Sequence, residues 1–355
     1  MSLAARLREQ IRALGPMDVA QYMTACLHDP LDGYYARHPA LGEQGDFITA
    51  PLVSQMFGEL IGLWAVALWR RLGRPGRLVL AEAGAGDGTL IADALRAARL
   101  DPDFLAAVDL WLVETSAPLR ALQAARLDQA PVRPRWAAGL DDLPADAPFV
   151  LIANELLDCL PARQFVRVAD GWAERMVGLG DDGGLAFGLR PCAPLAGLEA
   201  PPGAVVEVSA AQSAFAAALA ARIARQGGAA LLVDYGRERP GFGDTLQALR
   251  RHEKVDPLAE PGLADLTVHV DFPAVLAAAR SEGAAAALTT QRDFLQRLGI
   301  EARAQALAKG RPDRAAAVGR QLDRLIGEAQ MGVLFKVACL YPAGAPAPPA
   351  FEGLE

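Results

Sequence analysis

The chain has 355 residues, long for one compact domain, so one enlarged domain or two is expected. Hydrophobic residues make up 52% of it, ample for a full core, and the net charge of −7 excludes the broad basic footprint of a nucleic-acid binder. Cys26, Cys159, Cys192 and Cys339 and the four histidines are dispersed, without metal-ligand spacing or a disulfide framework, so no metal and a reducing compartment are expected.

Residues 1–72 read as mainly helical, a cap and lid ahead of the main domain. Met1 to Leu14 is amphipathic and carries Arg6, Arg8 and Arg12; Glu9 argues for a mature first helix over a transit peptide. Gly15-Pro16 ends it, and Val19, Tyr22 and Met23 mark one face of a second helix. Two irregular stretches follow, His28 to Tyr35 and Gly45 to Pro51, rich in Gly, Pro, Asp and aromatic residues. Loops of that length are often functional, which makes Asp46, Phe47 and Thr49 candidates for a lid; plugging a gap in the core is the plainer role for Tyr34, Tyr35 and Phe47. Ser54 to Arg71 has the period of an amphipathic helix, with Phe57, Leu60, Ile61, Trp64 and Leu68 on one face.

From residue 77 the pattern alternates strand and helix: strands at 78–81, 108–113, 132–138 and 149–153, helices at 89–100 and 117–127. That rhythm predicts an α/β fold with a parallel sheet covered by helices. Residues 162–206 read as an antiparallel β insertion, 237–270 as a polar insertion and 291–329 as a helical one. A helix at 210–225, strands at 229–235 and 285–289, and a closing strand at 332–340 complete the main domain of 73–342. The Ala- and Pro-rich 342–350 leads into a tail, 343–355, expected to be disordered.

The first strand runs into Glu82-Ala83-Gly84-Ala85-Gly86-Asp87-Gly88-Thr89. Glycine lets the backbone turn sharply and approach a ligand, and a helix start adds unpaired N–H groups. The dinucleotide fingerprint G-x-G-x-x-G would need glycine where Thr89 stands, which argues against a nicotinamide-dependent oxidoreductase. An acid two residues before the first glycine suits a cationic adenosine ligand without a pyrophosphate, such as S-adenosylmethionine (SAM); an ordinary strand–turn–helix is the plainer alternative.

In an open parallel sheet the ligand lies beyond the carboxyl ends of the strands. Those ends carry Glu82, Glu114, Asp141 or Asp142, and Asn154-Glu155 with Asp158. Glu114 could accept both ribose hydroxyls, although it lies 32 positions after Glu82, beyond the usual spacing of about 20. Asp141 or Asp142 could accept the adenine amino group. Glu155 and Asp158, three apart, could share one side of a helical turn and hold an acceptor guanidinium, which is always protonated. A helix-capping pair with Asn154 as the cap is the alternative.

Further stretches carry a resemblance. Gly15-Pro16, Tyr22-Met23, Asp29-Pro30, Gly33-Tyr34-Tyr35, Gly45-Asp46-Phe47-Ile48-Thr49-x-Pro51 and Phe57-Gly58-Glu59-Leu60-Ile61-Gly62 occur in order. They are followed by Asn154-Glu155-x-x-Asp158-x-x-Pro161, Asp234-Tyr235-Gly236, Gly243-Asp244-Thr245-Leu246, Pro261-Gly262-x-x-Asp265-Leu266-Thr267 and Met331-Gly332-x-Leu334-Phe335-Lys336. Together they closely resemble the MidA-like family of class I SAM-dependent methyltransferases, over residues 14–342. The family usually has Gly-Pro-Gly where this chain has Gly84-Ala85-Gly86; Ala85 keeps the turn small, and so does Cys159 where alanine is common.

The resemblance implies a Rossmann-like, seven-stranded methyltransferase sheet with SAM as cofactor at the Gly84 loop. The cofactor-binding set would be Glu82, Gly84, Ala85, Gly86, Thr89, Glu114 and Asp141, and the catalytic set Asn154, Glu155 and Asp158. It also implies a protein substrate, an arginine on a quinone-site subunit of respiratory complex I, because the family includes a mitochondrial complex I assembly factor with protein arginine methyltransferase activity. Cytoplasmic localisation is expected for a bacterial chain and the mitochondrial matrix for eukaryotic relatives. A homodimer is a further expectation, with no nucleic acid and no membrane span. An assembly chaperone with vestigial catalysis and a small-molecule methyltransferase are the rival readings.

Overall fold

A strand that is apolar along its whole length has no face to turn to water, and it must lie inside a sheet covered on both sides. Two segments come close to that description in the computed structural model, which describes residues 1–37, 49–193 and 198–354: β1 (Leu78–Ala83) and, further along the chain, Phe149–Asn154 are buried at every position and apolar apart from Glu82 and Asn154 near their carboxyl ends. Around them lie β2 (Val108–Val113), β3 (Arg135–Ala137), β4 (the Phe149–Asn154 strand), β5 (Gly228–Arg237), β6 (Ala284–Thr290) and β7 (Phe335–Pro342). In space they run β6-β7-β5-β4-β1-β2-β3. All neighbours are parallel except β7, which is antiparallel to both β5 and β6. The seven expected strands are therefore present in this order, within a sheet that counts eight strands among the described residues. The chain leaves β1 toward β2 and β3 on one side and resumes at β4 on the other, so the switch in direction lies between β1 and β4.

The chain forms two compact units. One comprises residues 48–157, 215–238 and 272–355 and contains the seven strands β1–β7. The other comprises 1–47, 158–214 and 239–271. In the second, the predicted antiparallel insertion is present as strands Arg163–Val168, Gly171–Leu179, Leu185–Cys192 and Val205–Val208, joined by the short Met17–Asp18. The insertion read as polar loop carries a small sheet of Gln247–Arg250, Glu253–Val255 and Asp265–Thr267. These strands are too short for a period-two signal to stand out among charged residues. Val19, Tyr22 and Met23 are fully buried, and the Tyr22 hydroxyl donates to the Pro257 carbonyl at 2.6 Å.

Three expectations about the sheet unit need correction. The helix Gln55–Arg71 is not amphipathic in place: Glu59, Gly62 and Val66 are buried along with the predicted apolar face. Its glycines explain this, because a Cβ on Gly62 would lie 2.4 Å from the Ala94 carbonyl oxygen, so the helix Thr89–Ala98 presses directly on its backbone. Glu59 in turn is held by Arg303 at 2.7 and 2.9 Å and by Arg96 at 3.1 Å. The closing strand begins three residues late, at Phe335, because Met331–Leu334 forms a short helix. The tail is not disordered. Phe351 is fully buried against Phe294, and the Trp64 indole donates to the Pro349 carbonyl at 3.0 Å. Ala- and Pro-rich composition masked a single aromatic anchor.

Replacing Phe351 by alanine should destabilise the protein by about 3 kcal/mol, the low end for an emptied aromatic site. Urea unfolding measures this; an unchanged midpoint would mean that the tail adds nothing to the core.

Candidate functional site

The turn after β1 is built from left-handed backbone. Gly84, Gly86 and Gly88 have φ of 68, 53 and 83°, a region that costs any residue with a Cβ. A Cβ on Gly84 would also come within 2.9 Å of Leu156 Cδ1. Thr89 then starts the helix, with its N–H bonded to the Asp87 carboxylate at 2.9 Å. Ala85 is buried. The loop carries no Lys or Arg between Glu82 and Leu90, and its charged side chains, Glu82 and Asp87, are both acids.

Glu82 is buried at the end of β1, and its Oε2 has no hydrogen-bond partner. Burial, reinforced by the nearby Asp87 charge, pushes its carboxyl up to about 8, so it is mostly protonated at neutral pH. Thr89 Oγ1 and Asn154 Oδ1 are likewise buried without partners. Orphaned polar atoms are rare in folded proteins, and these three stand at or just beyond the carboxyl ends of β1 and β4.

Glu114 follows β2 and is also buried. Its Oε1 accepts from the Ser116 N–H at 2.8 Å and its Oε2 from Gln123 Nε2 at 3.3 Å. Burial raises its pKa, and those bonds with the Thr115 N–H oppose the shift. Asp142 and Asp141 part company: Asp142 Oδ2 accepts from the Ala138 and Gly139 N–H groups at 3.1 Å each, closing its own turn. Asp141, in the same short 3-10 helix, is solvent-exposed.

At the end of β4 the expected helical turn is absent. Residues 155–160 form bends and turns, and Glu155 has a left-handed φ of 52°. Glu155 and Asp158 therefore share no helical face, and Asn154 caps no helix. Glu155 belongs to the sheet unit, where its Oε1 accepts from the Ala50 N–H and Asn154 Nδ2, both at 3.0 Å. The Ala50 bond places the end of the predicted lid, Thr49, next to a residue that touches Glu155. Asp158 belongs to the other unit and is buried there; its carbonyl accepts from the Val268 N–H at 2.9 Å. Asp46 and Phe47 lie outside the described residues.

The helix Ala117–Arg126 holds what the sequence reading missed. Arg120 Nε donates to the Glu114 carbonyl at 2.6 Å, and Arg126 reaches the Asp87 carboxylate at 2.6 Å. Between them the fully buried Gln123 donates to the Gly86 carbonyl at 2.9 Å. Spaced three apart, these residues share one helix face. Polar residues at that spacing on the helix after β2 were the available signal.

The model of a family described as S-adenosyl-L-methionine-dependent methyltransferases matches residues 60–290. The Drosophila melanogaster protein arginine methyltransferase NDUFAF7 homolog, mitochondrial, is 35% identical over 96% of this chain and 85% of its own length. The chain belongs to this methyltransferase family. The Rattus norvegicus protein arginine methyltransferase NDUFAF7, mitochondrial, is also 35% identical, over 95% of this chain and 83% of its own. A Burkholderia thailandensis protein solved with S-adenosyl-homocysteine bound superposes with a TM-score of 0.88 at 32% identity, covering 99% of this chain and 95% of that one.

The methyltransferase thus uses SAM, and its residues fit that cofactor. SAM presents an ammonium, two ribose hydroxyls and an adenine amino group. Facing such donors, the strand ends supply the acceptors Glu82, Glu114, Asp141 and Asn154 and a turn small enough for backbone approach. The residues that could hold it are these with Gly84, Ala85, Gly86 and Thr89. When bound, SAM supplies an electrophilic methyl group on a sulfonium.

Two outcomes follow for the ligand-free methyltransferase. Gly84→Ala should cost about 1–2 kcal/mol of stability through the left-handed backbone and weaken SAM binding, read by denaturation and calorimetry. Glu82, with a folded pKa above its unfolded value, binds the extra proton in the folded state, so its contribution is lost as pH rises from about 4.5 to about 8. Glu82→Gln should therefore gain on the wild type between pH 6 and pH 8 in urea unfolding; a difference independent of pH would mean that Glu82 is ionised when folded.

Proposed function

We propose that this methyltransferase acts on an arginine of a protein substrate. The observation that carries the reading is Glu155, a carboxylate held at the end of β4 by the Ala50 N–H and the Asn154 amide. A guanidinium stays protonated, so it must be met by a fixed negative charge that orients one nitrogen toward the methyl donor. Two hydrogen bonds to one oxygen fix the carboxyl group, and positioning supplies much of the rate of an in-line displacement. The guanidinium nitrogen would gain the methyl as the sulfonium–methyl bond breaks and S-adenosylhomocysteine leaves, and it would shed one proton, for which Glu155 is an acceptor. The names of the relatives, protein arginine methyltransferases at 35% identity, support the same acceptor.

The family resemblance supports a quinone-site subunit of respiratory complex I as the protein; a homodimer is a further part of the proposal. A cytoplasmic site of action is part of the proposal for a bacterial chain only; the relatives' names place those proteins in mitochondria. No helix among the described residues is long and apolar enough to cross a membrane.

Incubation with methyl-labelled SAM and candidate complex I subunits, followed by mass spectrometry, should show label on arginine. Glu155→Gln should lower transfer by about 10²-fold with SAM affinity little changed. A folded wild type that binds SAM but labels no arginine would sink the proposal.

A further inference from the structure

We propose that Gln123 is a positioning residue for the cofactor: it sets the Glu114 carboxylate and the Gly86 carbonyl in the arrangement that the ribose requires. The inference rests on the reading that Glu114 accepts the ribose hydroxyls.

Gln123 is completely buried, where an unpaired amide would be costly. Its hydrogen bonds define which way the amide points. The Trp136 indole can only donate, and it donates to Gln123 Oε1 at 2.9 Å. The amide nitrogen is thereby turned to two acceptors, Gly86 O at 2.9 Å and Glu114 Oε2 at 3.3 Å. One side chain thus ties together the glycine turn after β1, the acid after β2 and an indole on β3. The helix packs directly on the turn: a Cβ on Gly88 would sit in ordinary van der Waals contact with Gln123 Cα, at 3.5 Å.

The bonds divide the labour at Glu114. Oε1 is held by the Ser116 N–H of its own turn, whereas Oε2 accepts from the Gln123 amide. Without Gln123 the carboxylate keeps only the backbone N–H groups of its own turn, Thr115 and Ser116, and loses the bond that ties it to the next helix. A purely packing residue at this position would be apolar, since burying an amide gains nothing unless its bonds are used. Arg120 and Arg126, on either side, brace the backbone of the same two segments, Glu114 O and Asp87 O, at 2.6 and 3.1 Å. Gln123 alone on this face bonds to both segments.

The test compares binding of S-adenosylhomocysteine with that of its 2′-deoxy form by calorimetry. The ratio of the two affinities reports ribose recognition and is insensitive to a general loss of stability. Wild type should prefer the ribose form by roughly 10- to 100-fold, the range for hydrogen bonds to a charged group. In Gln123→Met, which matches the length and removes all three bonds, the preference should fall by about tenfold. A variant that unfolds at lower temperature yet keeps the wild-type ratio would overturn the positioning role and leave Glu114 untouched. A wild type without any preference, matched by Glu114→Gln, would overturn the ribose reading and this inference with it. Should the Met variant fail to fold, Gln123→Glu keeps the acceptor for Trp136 and submits to the same ratio test.

Discussion

A buried strand must become a helix within five residues, between Ala83 and Thr89, at the carboxyl edge of the sheet. The constraint is met by left-handed backbone at Gly84, Gly86 and Gly88. It has a cost, because the strand is covered on both faces and its terminal acid, Glu82, is carried into the interior with it. Burial keeps that acid largely protonated, a state that a cationic ligand would reverse. The turn and the acid are therefore one arrangement: the backbone makes room, and the carboxyl supplies an oxygen, Oε2, that nothing else in the described structure satisfies.

The rest of the sheet unit holds this turn from two sides. On one side, the helix Thr89–Ala98 lies against the helix Gln55–Arg71 at glycine contact distance, and Glu59 is bonded to Arg96 and Arg303. A buried acid so placed adds little net stability by itself, yet losing one partner would strand a charge. On the other side, the helix Ala117–Arg126 bonds Asp87, Gly86 and Glu114 through one face. The residues that stabilise the unit and those that shape its ligand edge are thus largely the same.

The order β6-β7-β5-β4-β1-β2-β3 brings the ends of β1 and β4 side by side, though the two are far apart in sequence. Parallel pairing puts their carboxyl ends on the same edge, which is why Glu82 and Asn154 can serve one ligand. Glu155 continues that edge in a left-handed conformation, so its side chain is aimed by backbone geometry and by the Ala50 N–H.

Much of this was legible in the sequence. The unbroken apolar runs of β1 and β4, the Glu-x-Gly-x-Gly-x-Gly turn and the acids at successive strand ends identified a sheet and a nucleoside-type ligand, because burial and positive φ leave strong local marks. Other features were not local. Gln123 and Trp136 are unremarked residues until folding bonds Gln123 to Glu114 and the Trp136 indole to Gln123. Phe351 looked like part of a disordered tail until a cavity beside Phe294 accepted it. Glu155 and Asp158, three apart, suggested a shared helical face, yet the chain bends there and passes from one unit into the other. Spacing along the chain specifies geometry only where the secondary structure is already set. At Glu155 the tertiary structure set it, through a left-handed residue that no period in the sequence announces.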